Sequence, residues 1–400
     1  MTNNKKILIV TECFYPEEFK INDIALSWKD KGYDVDVLTV APTYPLGKVH
    51  KGYKNRIISK DNYKGINIIR VRAVTGYVNS PVKKILKYIN FMLLGTIVAI
   101  FIGKKYDKVF GFNLGALTDM FPAVCIKKIY KKPVTIWVQD LWPDSVYAYG
   151  FKKTKILSIF LNTLVKFVFH NVDNIAISGK GFESKLKVFV KKNQEFHYIP
   201  NWPDDLIDNL GSVQLSQDSK VHFTFAGNIG KVQNLENIIN AFILLPGNYQ
   251  KKAQLNIIGD GSHLDFLRNI AKENRSIVFF GSVLRKTIAK YYNSSDFLII
   301  SLIDNSIFSV TVPAKMQTYI AAKKPILGFI NGESANIIND NNLGFCSNPG
   351  EISSISEAFK RSIEMTKDER NKFIENNDKL LNTIFNRESI INNLTKILIE

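Results

Sequence analysis

The chain has 400 residues, is 46% hydrophobic and carries a formal net charge of +17 at pH 7. That length exceeds a usual single core, so two domains are expected, and the apolar content excludes a largely disordered protein. The three cysteines, Cys13, Cys125 and Cys346, form neither a CxxC pair nor a plausible disulfide framework, which points to a reducing cytosol.

The N-terminus, "MTNNKKILIVTECF", lacks the long apolar core of a signal peptide and reads as a first strand, "KILIV". "TECFYPEE" ends it in a polar cluster. The next strand, "DVDVLTV", contains a formal DxD. Asp34 and Asp36 alternate there with Val35 and Val37 as one polar face, so no metal site is assigned. "APTYPLGK" and the strand "INIIRVR" follow.

Positive charge gathers in this part of the chain. Residues 1–200 hold 32 Lys+Arg against 15 Asp+Glu, whereas residues 201–400 hold 21 of each. Between Lys48 and Lys108, 14 basic residues stand against Asp61 and Asp107 alone. A biased genome would inflate lysine in both halves. An anionic partner that meets only the first half fits better, and nucleic acid or a membrane surface would each qualify.

"FMLLGTIVAIFIG", Phe91 to Gly103, has 13 residues, short of the roughly 17–25 that span a bilayer as a helix. Lys83, Lys84 and Lys87 precede it, and Lys104 and Lys105 follow. It reads first as a buried helix of an α/β domain. The alternative is a helix lying in the membrane interface, where each lysine adds about 1 kcal/mol of attraction to anionic lipid.

"DKVFGF", "VTIWV" and "NIAIS" continue the strands of the first half. "WVQDLWPDS" places Asp140 and Asp144 past a buried strand beside two tryptophans, a combination that holds sugars. A helix start with Asp140 as cap and Pro143 in the first turn explains the same residues. The domain boundary is expected near "IPNWPDD", Ile199 to Asp205, where prolines and acids break the rhythm.

The second half offers "HFTFAG", "QLNIIG", "SIVFFG", "DFLIIS" and "PILGFI". Near-continuous apolar strands separated by helical patterns indicate parallel sheets covered on both faces. The fold class is therefore α/β, with two doubly wound domains: residues 1–203, and residues 204–385 with a final helix of about 386–400 packed back on the first. Ligands of such sheets bind beyond the carboxyl ends of the strands, so the cleft between the domains is the expected site.

"FAGNIGKVQN" joins a strand to a helix near Asn234, with Gly227 and Gly230 allowing close backbone approach and Lys231 supplying charge. It is neither GxGxxG nor a Walker A loop. "IIGDGSHLDFL" is a structural turn with Ser262 as N-cap. "SVTVPAKMQTYIAAKKPIL" puts Pro313 in a first helical turn with Lys315 beside it, and has no Asp or Glu between Ser306 and Phe329. An anion suits that helix start, and so does an ordinary helix with an exposed lysine. The five histidines show no ligand spacing and there is no HExxH, so no metal and no cofactor is expected.

Taken together, "FYPEEFKINDIA", "APTYPLGK", "VQDLWPDS", "ISGKGFESKL", "IPNW", "FAGNIGKVQNLENIINAF", "IIGDGS" and "TVPAKMQTYIAAKKPIL" resemble the GT-B fold glycosyltransferases of family 4, the group 1 retaining enzymes, most of all their WbuB-like branch. The resemblance implies a nucleotide-sugar, a UDP-linked N-acetylated hexosamine or deoxyhexosamine, bound by the second domain. It implies Asp140 and Lys315 as catalytic. Gly227, Asn228, Lys231, Asn201, Ser309, Val310, Gln317 and Thr318 would bind the donor. Glu17, Glu18, Lys20, Asn22, Tyr44 and Asp144 would line the acceptor side.

The acceptor it implies is a sugar on undecaprenyl pyrophosphate, in bacterial O-antigen or capsule synthesis. The basic half would then sit on the inner face of the plasma membrane from the cytoplasm, with no nucleic acid partner. The chain departs from the family where two glutamates usually stand, at about Ser309 or Val310 and at Thr318. Asn228 and Gln233 likewise replace the usual Arg and Lys of the phosphate loop. A UDP-sugar epimerase of the same fold, or a basic membrane-binding protein, are the alternatives. The first needs a carboxylate or His pair at C2 that the sequence does not offer. The second leaves the C-terminal half unexplained.

Overall fold

The computed structural model describes residues 5–78, 80–148, 151–204, 211–216 and 220–400. Two compact units divide the chain: residues up to Pro200 together with Glu388–Glu400, and Asn201–Arg387. Asp205, the end of the expected boundary segment, lies outside the described residues.

The first unit is built on eight strands. They are β1 (Lys6–Thr11), β2 (Asp34–Val40), β3 (Ile58–Tyr63), β4 (Ile66–Val71), β5 (Lys108–Asn113), β6 (Val134–Val138), β7 (Asn174–Ile177) and β8 (Phe196–Tyr198). Their order is β3-β4-β2-β1-β5-β6-β7-β8, parallel except for β3, which runs antiparallel to β4. Apolar runs such as Ile7–Val10 and Ile136–Val138 are buried because helices cover both faces. The sequence reading omitted β3 and β8. β3, "ISKDNY", is an exposed edge strand with charged residues, joined to β4 by Lys64 and Gly65, both at positive φ as a two-residue hairpin requires.

Helices pack on this sheet at residues 20–30, 81–102, 121–130 and 155–170. The chain's last helix, Arg387–Ile399, does so too. It buries Ile390, Ile391, Leu394 and Leu398, and its Thr395 Oγ1 accepts from Trp28 Nε1 at 2.8 Å.

The second unit has six parallel strands: β9 (Val221–Ala226), β10 (Ala253–Ile258), β11 (Ile277–Gly281), β12 (Phe297–Ser301), β13 (Ile326–Phe329) and β14 (Gly344–Ser347). Their order is β11-β10-β9-β12-β13-β14. One face is an aromatic core in which Phe223 stacks on Phe297 at 5.3 Å and meets Phe359 edge-on at 4.9 Å. The other holds Met316, Tyr319 and Ile320.

In both sheets strand order reverses beside the first strand, between β1 and β5 and between β9 and β12. Those two carboxyl-end switch points are where an open α/β sheet binds its ligand.

Helix Pro81–Ile102 corrects an expectation. The buried 13-residue segment is in fact the second half of a 22-residue helix that starts at Pro81 under a Ser80 cap. By length and composition it could cross a membrane, yet a stripe of Phe91, Gly95, Val98 and Ala99 is buried in its own unit. Most of the rest is open: Leu93, Ile97 and Phe101 are 53%, 51% and 82% exposed.

Candidate active site

Lys315 lies on helix Ala314–Ala321 of the second unit. Pro313 is the N-cap of that helix, one residue earlier than expected. The lysine folds back over β9, its Nζ 3.7 Å from the centre of the Phe225 ring. Gly227 follows β9 with φ +137°, and a Cβ placed there would stand 2.4 Å from Lys315 Cε and 2.6 Å from Nζ. Gly259, after β10, is pressed against the Gly227 carbonyl, with 1.9 Å between that oxygen and the Cβ position. Two glycines at positive φ thus let two strand-end loops and one ammonium meet at the switch point. Although the residue is only half-buried, its ammonium is enclosed, and burial pulls it down to about 7. No ion pair or hydrogen bond holds it among the described residues.

The other donor-side residues divide. Ser309 and Val310 sit on a 3-10 turn, where Ser309 Oγ donates to the Ser306 carbonyl at 3.0 Å. Thr318 donates to the Ala314 carbonyl at 3.3 Å and stays half-buried. Gln317 is buried, its amide turned to the Ala314 and Pro313 carbonyls at 3.2 Å, so it braces the helix start. Asn228 Nδ2 donates to Gln233 Oε1 at 3.4 Å, closing the loop the glycines begin. Lys231 is exposed and lines a pocket of ≈ 460 Å³ with Glu236, His263 and Phe266, a lining that includes neither Gly227 nor Lys315. Asn201 opens the unit and is half-buried. The cap of helix Leu264–Ala271 is His263, not Ser262.

In the first unit, Asp140 follows β6. Its Oδ1 accepts from the Leu141 N–H at 3.0 Å, and burial outweighs this and the Ser145 hydroxyl to push the carboxyl up to about 6. It does not cap the short helix, which begins four residues later at Asp144. Trp137 is wholly buried and donates to the Ile199 carbonyl, so only Trp142 of the two tryptophans stands at the strand ends, edge-on to Tyr88 at 6.2 Å.

Glu17 is buried and accepts from the Thr43 and Tyr44 N–H groups at 2.8 and 2.6 Å, which ties two loops together. Asn22 donates to the Glu17 carbonyl at 2.7 Å. Both therefore hold the loops on the acceptor side in place. Tyr44 is half exposed beside Phe19, Glu18 is exposed, and Lys20 and Asp144 are half-buried.

Sequence reasoning missed Glu12, Lys87, Tyr88 and Asp119. Glu12 follows β1, Asp119 sits on the turn after β5, and Lys87 Nζ approaches Glu12 Oε1 to 2.8 Å from helix Pro81–Ile102. Asp36 of the DxD is a buried structural acid, accepting from Tyr106 at 2.6 Å, Lys105 at 3.0 Å and Asn67 at 2.9 Å.

These two reversing sheets with ligand loops at their carboxyl ends define the GT-B architecture. HepE of Anabaena, solved with UDP and glucose, superposes with a TM-score of 0.67 at 11% identity over 99% of each chain. WaaG, a glycosyltransferase involved in lipopolysaccharide biosynthesis, gives 0.64 at 14% identity over 98% of this chain and 99% of that one. Residues 208–380 match the family described as "Glycosyl transferases group 1". The probable glycosyltransferase WbjE of Pseudomonas aeruginosa is 25% identical over 267 residues, 64% of this chain and 65% of that relative, a little under two thirds of its length. The family match lies within the second unit, and together with WbjE it makes the chain similar to the group 1 glycosyltransferases.

Proposed function

We propose that the chain transfers a sugar from a nucleotide diphosphate, UDP-linked, to a lipid-linked saccharide acceptor of a bacterial surface polysaccharide, with retention at the anomeric carbon. The observation that carries this reading is Lys315: an enclosed ammonium, unpaired among the described residues, at a glycine-lined switch point and a helix N-terminus. A diphosphate supplies the missing charge. As it leaves the sugar, its growing negative charge meets a fixed ammonium and oriented N–H groups, which need no reorganisation at that moment.

The neighbour solved with UDP and glucose supports the donor class. The WbuB-like motifs support an N-acetylated hexosamine or deoxyhexosamine. In this mechanism the leaving phosphate takes the acceptor proton on the same face, and Asp140 orients the sugar or the acceptor hydroxyl. Ser309 or Val310 and Thr318 replace the family glutamates. Thr318 then gives the ribose a neutral bond of about 0.5–1.5 kcal/mol where a carboxylate would give more. Positive charge comes from Lys315 and the helix, and the reading invokes no metal.

Helices Pro81–Ile102 and Lys155–His170 both pack on the buried turn Leu117–Met120, and each keeps an open apolar face, with Leu93, Ile97 and Phe101 exposed on the first and Ile156 and Phe160 on the second. Lys83, Lys104 and Lys153 are exposed on or beside them. Apolar faces edged by lysine suit the inner leaflet, where such an acceptor resides.

A thermal-shift panel of UDP-, GDP- and TDP-sugars tests the donor, with a shift expected for UDP-sugars. Lys315→Ala should then weaken UDP-sugar binding at least about tenfold, the worth of one charge-assisted bond. Unchanged affinity removes Lys315 from the site.

A further inference from the structure

Helix Pro81–Ile102 has two faces with different partners. Its inner stripe runs Lys87, Phe91, Gly95, Val98 and Ala99 at helical spacing, while Leu86, Leu93, Ile97 and Phe101 point to solvent. The inner stripe enters the strand-end site directly. Lys87 lies 4.5 Å above the Tyr77 ring and 2.8 Å from Glu12 Oε1. Burial alone would lower its ammonium, yet the Glu12 carboxylate outweighs burial and the net shift is upward.

Behind Glu12 stands Asp119, 1% exposed. Its carboxyl lies against that of Glu12 and finds no N–H or hydroxyl donor among the described residues. Burial first, and then the Glu12 charge, push the Asp119 carboxyl far up, so the Lys87 ammonium faces two buried acids packed one behind the other. Tyr88, next along the helix, packs edge-on to Trp142, two residues past Asp140. One helix face therefore touches the loops that follow β1, β5 and β6.

We propose that Lys87 is the positioning residue of this site, and that seating the outer face of its helix on an anionic lipid surface sets the loops after β1, β5 and β6 through Lys87 and Tyr88. This rests on the membrane reading given above. A close-packed helix moves as a body, and it cannot shift without moving the ammonium against two buried acids that have no other cation beside them among the described residues.

Hydrogen exchange of the full chain tests this, with and without phosphatidylcholine vesicles containing phosphatidylglycerol. In the wild type, vesicles should slow exchange at residues 12–19, 117–120 and 140–145 by about threefold or more, as ordering of a locally opening segment does. Lys87→Met should bind the same vesicles through the unchanged outer face but lose the response at 12–19 and 117–120, and Lys87→Arg should restore it.

The proposal is overturned if vesicles bind and the wild-type loops do not respond, or if Lys87→Met responds like the wild type. If Lys87→Met does not fold, Tyr88→Leu replaces it. That variant must lose the response at 140–145 and keep it at 12–19, and retention at both overturns the proposal. Failure of the wild type to bind vesicles overturns the membrane reading and this proposal together.

Discussion

Lys315 was legible from local sequence, because a proline followed at once by a lysine in a stretch without carboxylates marks a helix start that wants an anion. Its protonation was not legible, since that depends on Phe225 and Gly227, which lie some ninety residues earlier and meet it only in the fold. A pH dependence follows. The free ammonium titrates near 7, well below its ordinary 10.5, and a bound diphosphate raises it again. Binding therefore takes up a proton, so affinity is greatest below about pH 7 and falls by up to about tenfold per unit above it. Calorimetry with UDP-N-acetylglucosamine between roughly pH 6 and 9, on either side of that titration, checks this, because its diphosphate does not titrate in that window. Lys315→Ala should give a flat profile. Glu12, Lys87 and Asp119 carry no such local signature. Only the order of β1 and β5, with a helix laid across them, brings these three together.

At the scale of elements, apolar runs revealed every central strand, because burial on both faces requires them. The edge strands β3, β8 and β14 escaped, being short, half-exposed or charged, so that pairing rather than composition defines them. Helix Pro81–Ile102 was misjudged in extent, since its first turns hold three lysines that masked a continuous helix. Its open face makes a prediction independent of catalysis. Leu93 and Ile97 are about half exposed, so the pair Leu93→Glu and Ile97→Glu should leave thermal stability nearly unchanged, within about 0.5 kcal/mol for each surface change. The same pair should cut co-sedimentation with anionic vesicles about tenfold or more, because each carboxylate must leave water at the interface and repels the lipid phosphates. Vesicle binding equal to the wild type would remove this face as the lipid contact.

For the whole molecule, the two ends of the chain fold as one body, and this sets where the protein can be divided. The last helix inserts Ile390, Ile391, Leu394 and Leu398 against the first unit. Lys5 Nζ donates to the Ile399 carbonyl at 3.1 Å, and Asn174 Nδ2 to the Ile397 carbonyl at 3.0 Å. Four such side chains, at about 1.5–3 kcal/mol each when fully buried, amount to roughly 6–12 kcal/mol. That is comparable with the entire stability of a typical domain, about 5–15 kcal/mol. A fragment ending at Pro200 exposes the surface those residues cover and leaves Trp28 Nε1 without Thr395. It should therefore bind a hydrophobic dye and lack a cooperative melting transition. Joining residues 387–400 to its end through a flexible Gly/Ser linker should restore that transition, whereas the same linker carrying Leu394→Asp and Leu398→Asp should not. A fragment that melts cooperatively without the helix would mean that the first unit's stability resides in the sheet and its own helices, and that the last helix is only an ornament on a finished core.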